Sequence, residues 1–118
     1  MPVRAVCYSA DGRFLYSASD DHSVNVYEAD SGTLVTTLAG HTGWVLDVAS
    51  SADGATIASC GADGKVNIWD AKQRSLAHTF EGHHEGQVCA VAFGGGGGKL
   101  VSAGDDGALQ VMEVGVRR

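Results

Sequence analysis

Apolar and polar positions alternate in short runs along this chain, and each run stops at a cluster of turn-forming residues. Residues 45–50 (VLDVAS) lead into Ser-Ala-Asp-Gly, residues 57–61 (IASCG) into Ala-Asp-Gly-Lys, and residues 66–69 (VNIW) into Asp-Ala-Lys-Gln-Arg. A period of two puts successive side chains on opposite faces of an extended backbone, so these runs predict β-strands. Asp-Gly pairs at 11–12, 53–54, 63–64 and 106–107 supply the positive φ that tight hairpin turns need. More polar runs at 33–38 and 75–80 predict one further strand in each of the first two groups. No stretch holds a convincing 3.6-residue apolar period, so the expected class is all-β.

The groups repeat. "VRAVCYSADGRFLYSASDDHSVNVYEA" from Val3 lies in step with "VLDVASSADGATIASCGADGKVNIWDA" from Val45, and "VCAVAFGGGGGKLVSAGDDGALQVMEV" from Val88 makes a third copy. The offsets are 42 and then 43 residues, the extra residue falling in "GHHEGQV" against "GHTGWV". A period of about 40–45 residues is that of a four-stranded propeller blade. The strand count is then four, four and three, over blades spanning 1–39, 40–81 and 82–114.

Composition narrows the function. The chain carries a net charge of −6 with only 8 Lys and Arg, spread along its length. Direct nucleic-acid binding, which draws its affinity from cations on phosphates, is not expected, and protein partners are. Gly is abundant, 17 of 118 residues, while Pro occurs once, a balance that suits many tight turns and no stiff linker. Cys7, Cys60 and Cys89 sit among apolar, strand-like residues with no paired spacing and read as small reduced hydrophobes of an intracellular protein. No signal peptide or membrane-spanning run is legible.

The quoted residues carry a family resemblance. "GHTGWV", "SADG" and "SCGADGKVNIWD" match the WD repeat, which starts on Gly-His and ends on Trp-Asp. The middle copy has both marks, Gly40-His41 and Trp69-Asp70; the third has Gly82-His83 but ends Met112-Glu113, and the first ends Tyr27-Glu28. The resemblance implies a WD40 β-propeller: three consecutive blades from the C-terminal part of a seven-bladed ring, completed by upstream blades or by a second chain. Within the family, "MPVRAVCYSADGRFLYSASDD", "LAGHTGWVLDVA", "AHTFEGHHEGQVCAVAF" and "KLVSAGDDGALQVMEV" are similar to a WD-repeat subunit group shared by the superkiller RNA-decay complex and the RNA polymerase II-associated factor complex. That implies a non-catalytic scaffold of the nucleus and cytoplasm holding protein subunits together. The alternative is a structural component of a cytoskeletal or ciliary (axonemal) complex.

His41, Ser59 and Asp63 resemble a nucleophile with its base and orienter, but Ser59 lies mid-strand and no GxSxG elbow is present. In a WD blade these residues and Trp69 form a buried hydrogen-bond lock. The resemblance extends the lock to His83, Ser102 and Asp106 in the third blade and to Ser17 and Asp21 in the first. "GGGGGKL" at 94–100 lacks the Gly and Ser/Thr positions of a phosphate loop and reads as a turn. His78, His83 and His84 near Cys89 lack metal-site spacing, so neither metal nor cofactor is expected. Family geometry makes Trp44 and Gln87 partner-binding candidates beside the first strands; alternatively Trp44 lines the channel mouth and packs on the neighbouring blade. Asp20, Asp105 and Glu85 are then an acidic rim suited to basic peptides, or a merely solvated one.

Overall fold

The computed structural model describes residues 3–82, 84–94 and 98–114. Each alternating run becomes a strand. Blade one contains β1 (Val3–Tyr8), β2 (Phe14–Ser19), β3 (Ser23–Glu28) and β4 (Leu34–Ala39). Blade two contains β5 (Val45–Ser50), β6 (Thr56–Gly61), β7 (Val66–Asp70) and β8 (Ser75–Phe80), and blade three β9 (Val88–Phe93), β10 (Lys99–Gly104) and β11 (Leu109–Glu113). Consecutive strands pair antiparallel, giving sheets of four, four and three strands and no helix among the described residues. These are three consecutive propeller blades.

The turns follow their chemistry. Gly12, Gly54, Gly64 and Gly107 take φ between +73° and +81°, as the Asp-Gly pairs require. In blade one the position matching Gly64 is His22, which accepts φ of +73° despite its side chain. Asp11 and Asp53 close their β-turns alike: each Oδ1 accepts a serine hydroxyl (Ser9, 2.7 Å; Ser51, 2.6 Å) and a backbone N–H two residues on.

The hydrophobic core lies between blades, not within them. Tyr16, Ala18, Val24, Val26 and Leu38 of blade one pack against Val45, Val48, Ile57 and Trp69 of blade two. Ala58, Cys60, Val66 and Ile68 on the opposite face of blade two pack against Val88, Val91, Leu100 and Met112 of blade three. Blade two is covered on both sides, which is why every residue of β6 is buried and why small side chains dominate there. The outer blades each leave one face uncovered. Val3 is 57% exposed where its counterparts Val45 and Val88 are at 0%, and Leu109 is 72% exposed where Val66 is at 1%.

Each innermost strand carries a β-bulge at the same place, at Arg4, Leu46 and Cys89. A bulge re-aims a side chain. It corrects the reading of Cys89, which is exposed; Cys60 is buried and Cys7 half-buried. Desolvation first, then the charge of Asp47, pushes the Cys7 thiol up to about 11 and Cys60 higher still, so both stay protonated. Asp47 also ties blade two to blade three: Oδ1 accepts from Val48 N at 2.9 Å and Oδ2 from Val91 N at 3.1 Å. Replacing Asp47 by Ala would strip Val91 N of its partner at the blade junction. We expect Asp47→Ala to lower unfolding free energy by about 1–3 kcal/mol in urea titration, with Asp47→Asn recovering part of the loss.

Candidate functional site

The residues that looked catalytic converge on one line within blade two. Trp69 Nε1–H donates to Ser59 Oγ at 2.8 Å, and Ser59 Oγ lies 2.7 Å from His41 Nε2. His41 Nδ1 reaches Asp63 Oδ2 at 3.0 Å. The Asp63 carboxylate also accepts from Thr42 N at 3.0 Å and Lys65 N at 3.1 Å. Only one proton arrangement satisfies the line: Nδ1–H donates to Asp63, Ser59 O–H donates to Nε2, and the indole N–H donates to the serine oxygen. The hydroxyl is thereby used both as donor and as acceptor.

Position in the fold explains the burial. Ser59 lies in the middle of β6 with blades on both sides, and its accessibility is 0%. The side chain of His41 is fully buried, and desolvation pulls its pKa below the ordinary histidine value although Asp63 opposes this. The imidazole is therefore neutral at pH 7, and its contact with Asp63 is a hydrogen bond rather than an ion pair. An acyl-transfer site needs an open nucleophile with oxyanion donors beside it. Here the serine faces an indole and an imidazole.

Blade three repeats the line with a different histidine. His84 Nε2 lies 2.7 Å from Ser102 Oγ and His84 Nδ1 3.2 Å from Asp106 Oδ1. His83, given this role by the Gly-His pair, lies outside the described residues. The extra residue of blade three enters between Gly82 and the working histidine, not after it. A sequence signal for this existed: histidine to serine spans 18 residues and histidine to aspartate 22 in both blades. Hydrogen bonds from Ala108 N, Glu85 N and His84, in that order, hold the Asp106 carboxyl down at about 2. Met112 is buried in place of the indole and gives Ser102 no N–H donor.

Gly104 shows how tightly blade three closes, because a Cβ there would come within 2.8 Å of Asp106 Oδ1 and collide with the His84 ring. Blade one has Ser19 at that position and no line. Ser17 Oγ is buried without a partner among the described residues, and Asp21 instead accepts from Ser23 Oγ at 2.6 Å. The expected extension of the lock to Ser17 and Asp21 is corrected accordingly.

The partner-binding candidates occupy the edge where β2 turns into β3 and β6 into β7. Backbone bonds fix it in two blades: Ala62 N to Trp44 O at 2.8 Å and Asp105 N to Gln87 O at 3.1 Å. Trp44 is 47% exposed, and Gln87, Glu85 and Asp105 are exposed. Asp20 is not part of an open acidic rim. It is buried and chelated by Arg4, Nε to Oδ1 at 2.6 Å and Nη2 to Oδ2 at 3.0 Å. The Arg4 guanidinium also lies 4.8 Å from the Trp44 ring centroid, a cation–π contact across the blade junction. Sequence reasoning missed Arg4, whose direction depends on the β1 bulge.

The other motifs found ordinary roles. Lys99 of the glycine run begins β10 and no helix follows among the described residues, which leave out 95–97. His78 packs edge-on against Phe80 at 4.5 Å, and His84 is bound within blade three. No group of three potential metal ligands occurs among the described residues, and no helix there is long and apolar enough to cross a membrane.

Two measurements test the line. Ser59→Ala leaves the Trp69 N–H and a neutral His41 nitrogen buried without a partner, and should cost about 1–3 kcal/mol of stability. Lowering pH protonates His41 in the unfolded chain first, because its folded pKa lies below the ordinary 6.5. Stability should fall as pH drops from about 6.5 toward the folded value, and fall again below 3.8 as Asp106 is protonated toward its pKa of about 2. The melting temperature of His41→Gln should lack the first decline, and a wild-type curve flat between pH 7 and 5 would exclude the buried neutral ring.

Comparison with known proteins agrees with this geometry. The model of the WD domain, G-beta repeat, matches residues 1–28, 32–70 and 74–111. WD repeat-containing protein SL1-17 of Schistosoma mansoni is 43% identical over 112 residues, covering 95% of this chain and 37% of that protein. Nuclear distribution protein PAC1 of Arthroderma otae is 42% identical over 48 residues, 41% of this chain and 10% of that protein. The crystal structure of RRP9 WD40 repeats superposes with a TM-score of 0.90 at 28% identity, over 95% of this chain and 35% of that one; the structure of U3-55K gives the same score and identity. The chain thus spans little more than a third, at most, of these relatives. With three matched repeats, three stacked antiparallel sheets and the histidine–serine–aspartate line in two of them, this chain belongs to the WD40-repeat family.

Proposed function

We propose that the chain is part of a non-catalytic WD-repeat scaffold that holds protein subunits together, with Trp44 as the anchor of its binding edge. The observation that carries this reading is the half-exposed indole of Trp44, held by its backbone bond to Ala62 and by the overlying Arg4. Rigid, partly exposed aromatics are typical interface hot spots. Gln87, Glu85 and Asp105 extend the same edge onto blade three, and Asp20 serves it indirectly by positioning Arg4. The groups that resemble catalytic residues are consumed by one another, which supports binding over chemistry.

The open faces support membership of a larger ring. Val3 and Val6 stand where blades two and three bury valines, and Leu109 and Val111 stand where blades one and two bury Val24, Val26, Val66 and Ile68. Each face has the apolar chemistry of a blade junction, so further blades, from the same chain or a second one, are its natural cover. A seven-bladed total is the expectation carried by the family. The assembly we favour is an RNA-decay or transcription-elongation complex in the nucleus and cytoplasm, on the strength of the resemblance in residues 1–21, 38–49, 77–93 and 99–114.

Affinity capture with the full-length protein tests both levels. RNA-decay or polymerase-associated subunits are the expected catch, and axonemal or cytoskeletal proteins would favour the structural alternative. Trp44→Ala should weaken capture by roughly thirtyfold, the loss of an anchor of about 2 kcal/mol. Its stability should change by no more than about 1 kcal/mol, since half of the ring already faces water and one exposed cation–π contact is lost. Severe unfolding without a specific loss of binding would make Trp44 a packing residue.

A further inference from the structure

A groove of about 440 Å³ opens between blades one and two at the end of the sheets opposite Trp44. It is lined by the β1–β2 turn, the β5–β6 turn and the β7–β8 turn, and its cations are Arg13, Lys72 and Arg74. Three of the chain's 8 basic residues therefore meet at one place on a protein of net charge −6. None of the three has a carboxylate within ion-pairing distance among the described residues. Asp11 and Asp53 share the lining and stay ionised, because the serine hydroxyl and backbone N–H of their own turns lower both carboxyls, so the groove sets three cations against two anions.

The internal repeat separates scaffold from additions. Asp11 and Asp53 are counterparts in successive blades and serve turn closure. Arg13 and Lys72 have no basic counterpart, and Arg74 has one only in the third copy of the sequence, at Arg117. Arg13 stands where blades two and three have Ala55 and Gly98, Lys72 where blade one has Asp30, and Arg74 where blade one has Gly32. Phe14 stands where the others have Thr56 and Lys99. Gly32 adopts φ of +72°, and Arg74 holds the same left-handed conformation at +55°, which a Cβ disfavours. Arg74 thus holds in blade two a conformation that a glycine supplies in blade one.

What the groove gains is an aromatic ring with two guanidinium groups against it. Arg74 lies 5.1 Å and Arg13 5.5 Å from the Phe14 ring centroid. Stacking orients each guanidinium while leaving N–H donors for a planar acid group. Carboxylates are the matching acceptors, since arginine binds them through two parallel hydrogen bonds. The half-buried Phe14, with Ala71 beside it, offers an apolar surface for one side chain between such acids.

We propose that this groove binds an acidic segment of a partner protein, its carboxylates on Arg13, Lys72 and Arg74 and an apolar side chain against Ala71 and the edge of Phe14. The site lies between two complete blades and is independent of the Trp44 edge. The test is fluorescence anisotropy of a fluorescein-labelled octapeptide of glutamates with one central phenylalanine, titrated with the full-length protein at low and moderate salt. Saturable binding that weakens with salt is expected, and at least a tenfold loss in Arg74→Gly and in Lys72→Asp, each the residue blade one carries. Lys65→Ala, at the opposite end of the sheets, should bind like wild type. Arg74→Gly should melt no lower than wild type, because it relieves backbone strain. The proposal fails if the peptide does not bind, if the groove variants bind it unchanged, or if single-stranded poly(U) of eight nucleotides binds more tightly. It also fails if Arg74→Gly lowers the melting temperature by several degrees, which would make the arginine a clamp between blades.

Discussion

A twisted β-sheet has two broad faces, and in this chain the apolar side chains of each are covered only by the neighbouring sheet. Neither blade one nor blade three has a core of its own; Tyr16, Val24 and Val26 find cover on Val45, Val48 and Ile57, and Val88 and Leu100 on Ala58 and Ile68. Everything else follows from this lateral stacking. It fixes which strands are innermost, it buries β6 on both sides, and it leaves opposite apolar faces open at the two ends.

Burial on both sides also decides the chemistry of the polar line. A serine, a histidine and an aspartate at hydrogen-bond distance constitute an acyl-transfer apparatus only where the hydroxyl can reach a substrate. Between blades the same groups are sealed, and each lone pair and proton is matched within the protein: indole to hydroxyl, hydroxyl to imidazole, imidazole to carboxylate, carboxylate to backbone amides. The line joins the loop before β5 to β6, β7 and the turn between them, so it fixes the turn beside Trp44. Structural polarity in the interior thus positions the proposed binding edge at the surface.

Internal repetition makes departures informative. Where the three blades agree, as at Asp21, Asp63 and Asp106, which each accept the backbone N–H two residues on, the residue serves the fold. Where they differ and the differing residues meet in space, another demand has acted. Arg4 with Trp44 and Asp20 is one such meeting, and Phe14 with Arg13 and Arg74 is another. Both cross the junction of blades one and two, at opposite ends of the sheets.

The sequence by itself determined the strands, the turns and the blade repeat, because side-chain alternation and positive-φ glycines are local properties of the chain. The line in blade two was legible through the resemblance of its Gly-His and Trp-Asp marks to the WD repeat, which implies His41, Ser59, Asp63 and Trp69 as partners. The spacings of that line, 18 and 22 residues, pick out His84 over its neighbour His83, and the tertiary structure showed that spacing rather than the Gly-His pair governs. Only the tertiary structure decided that Cys89 is exposed and that Arg4 turns onto Asp20 and Trp44, since a bulge changes which face a residue occupies without leaving a mark in the alternation. The interblade groove was likewise invisible in the sequence: Arg13 and Arg74 are far apart along the chain, and only the packing of one blade on the next brings both onto Phe14.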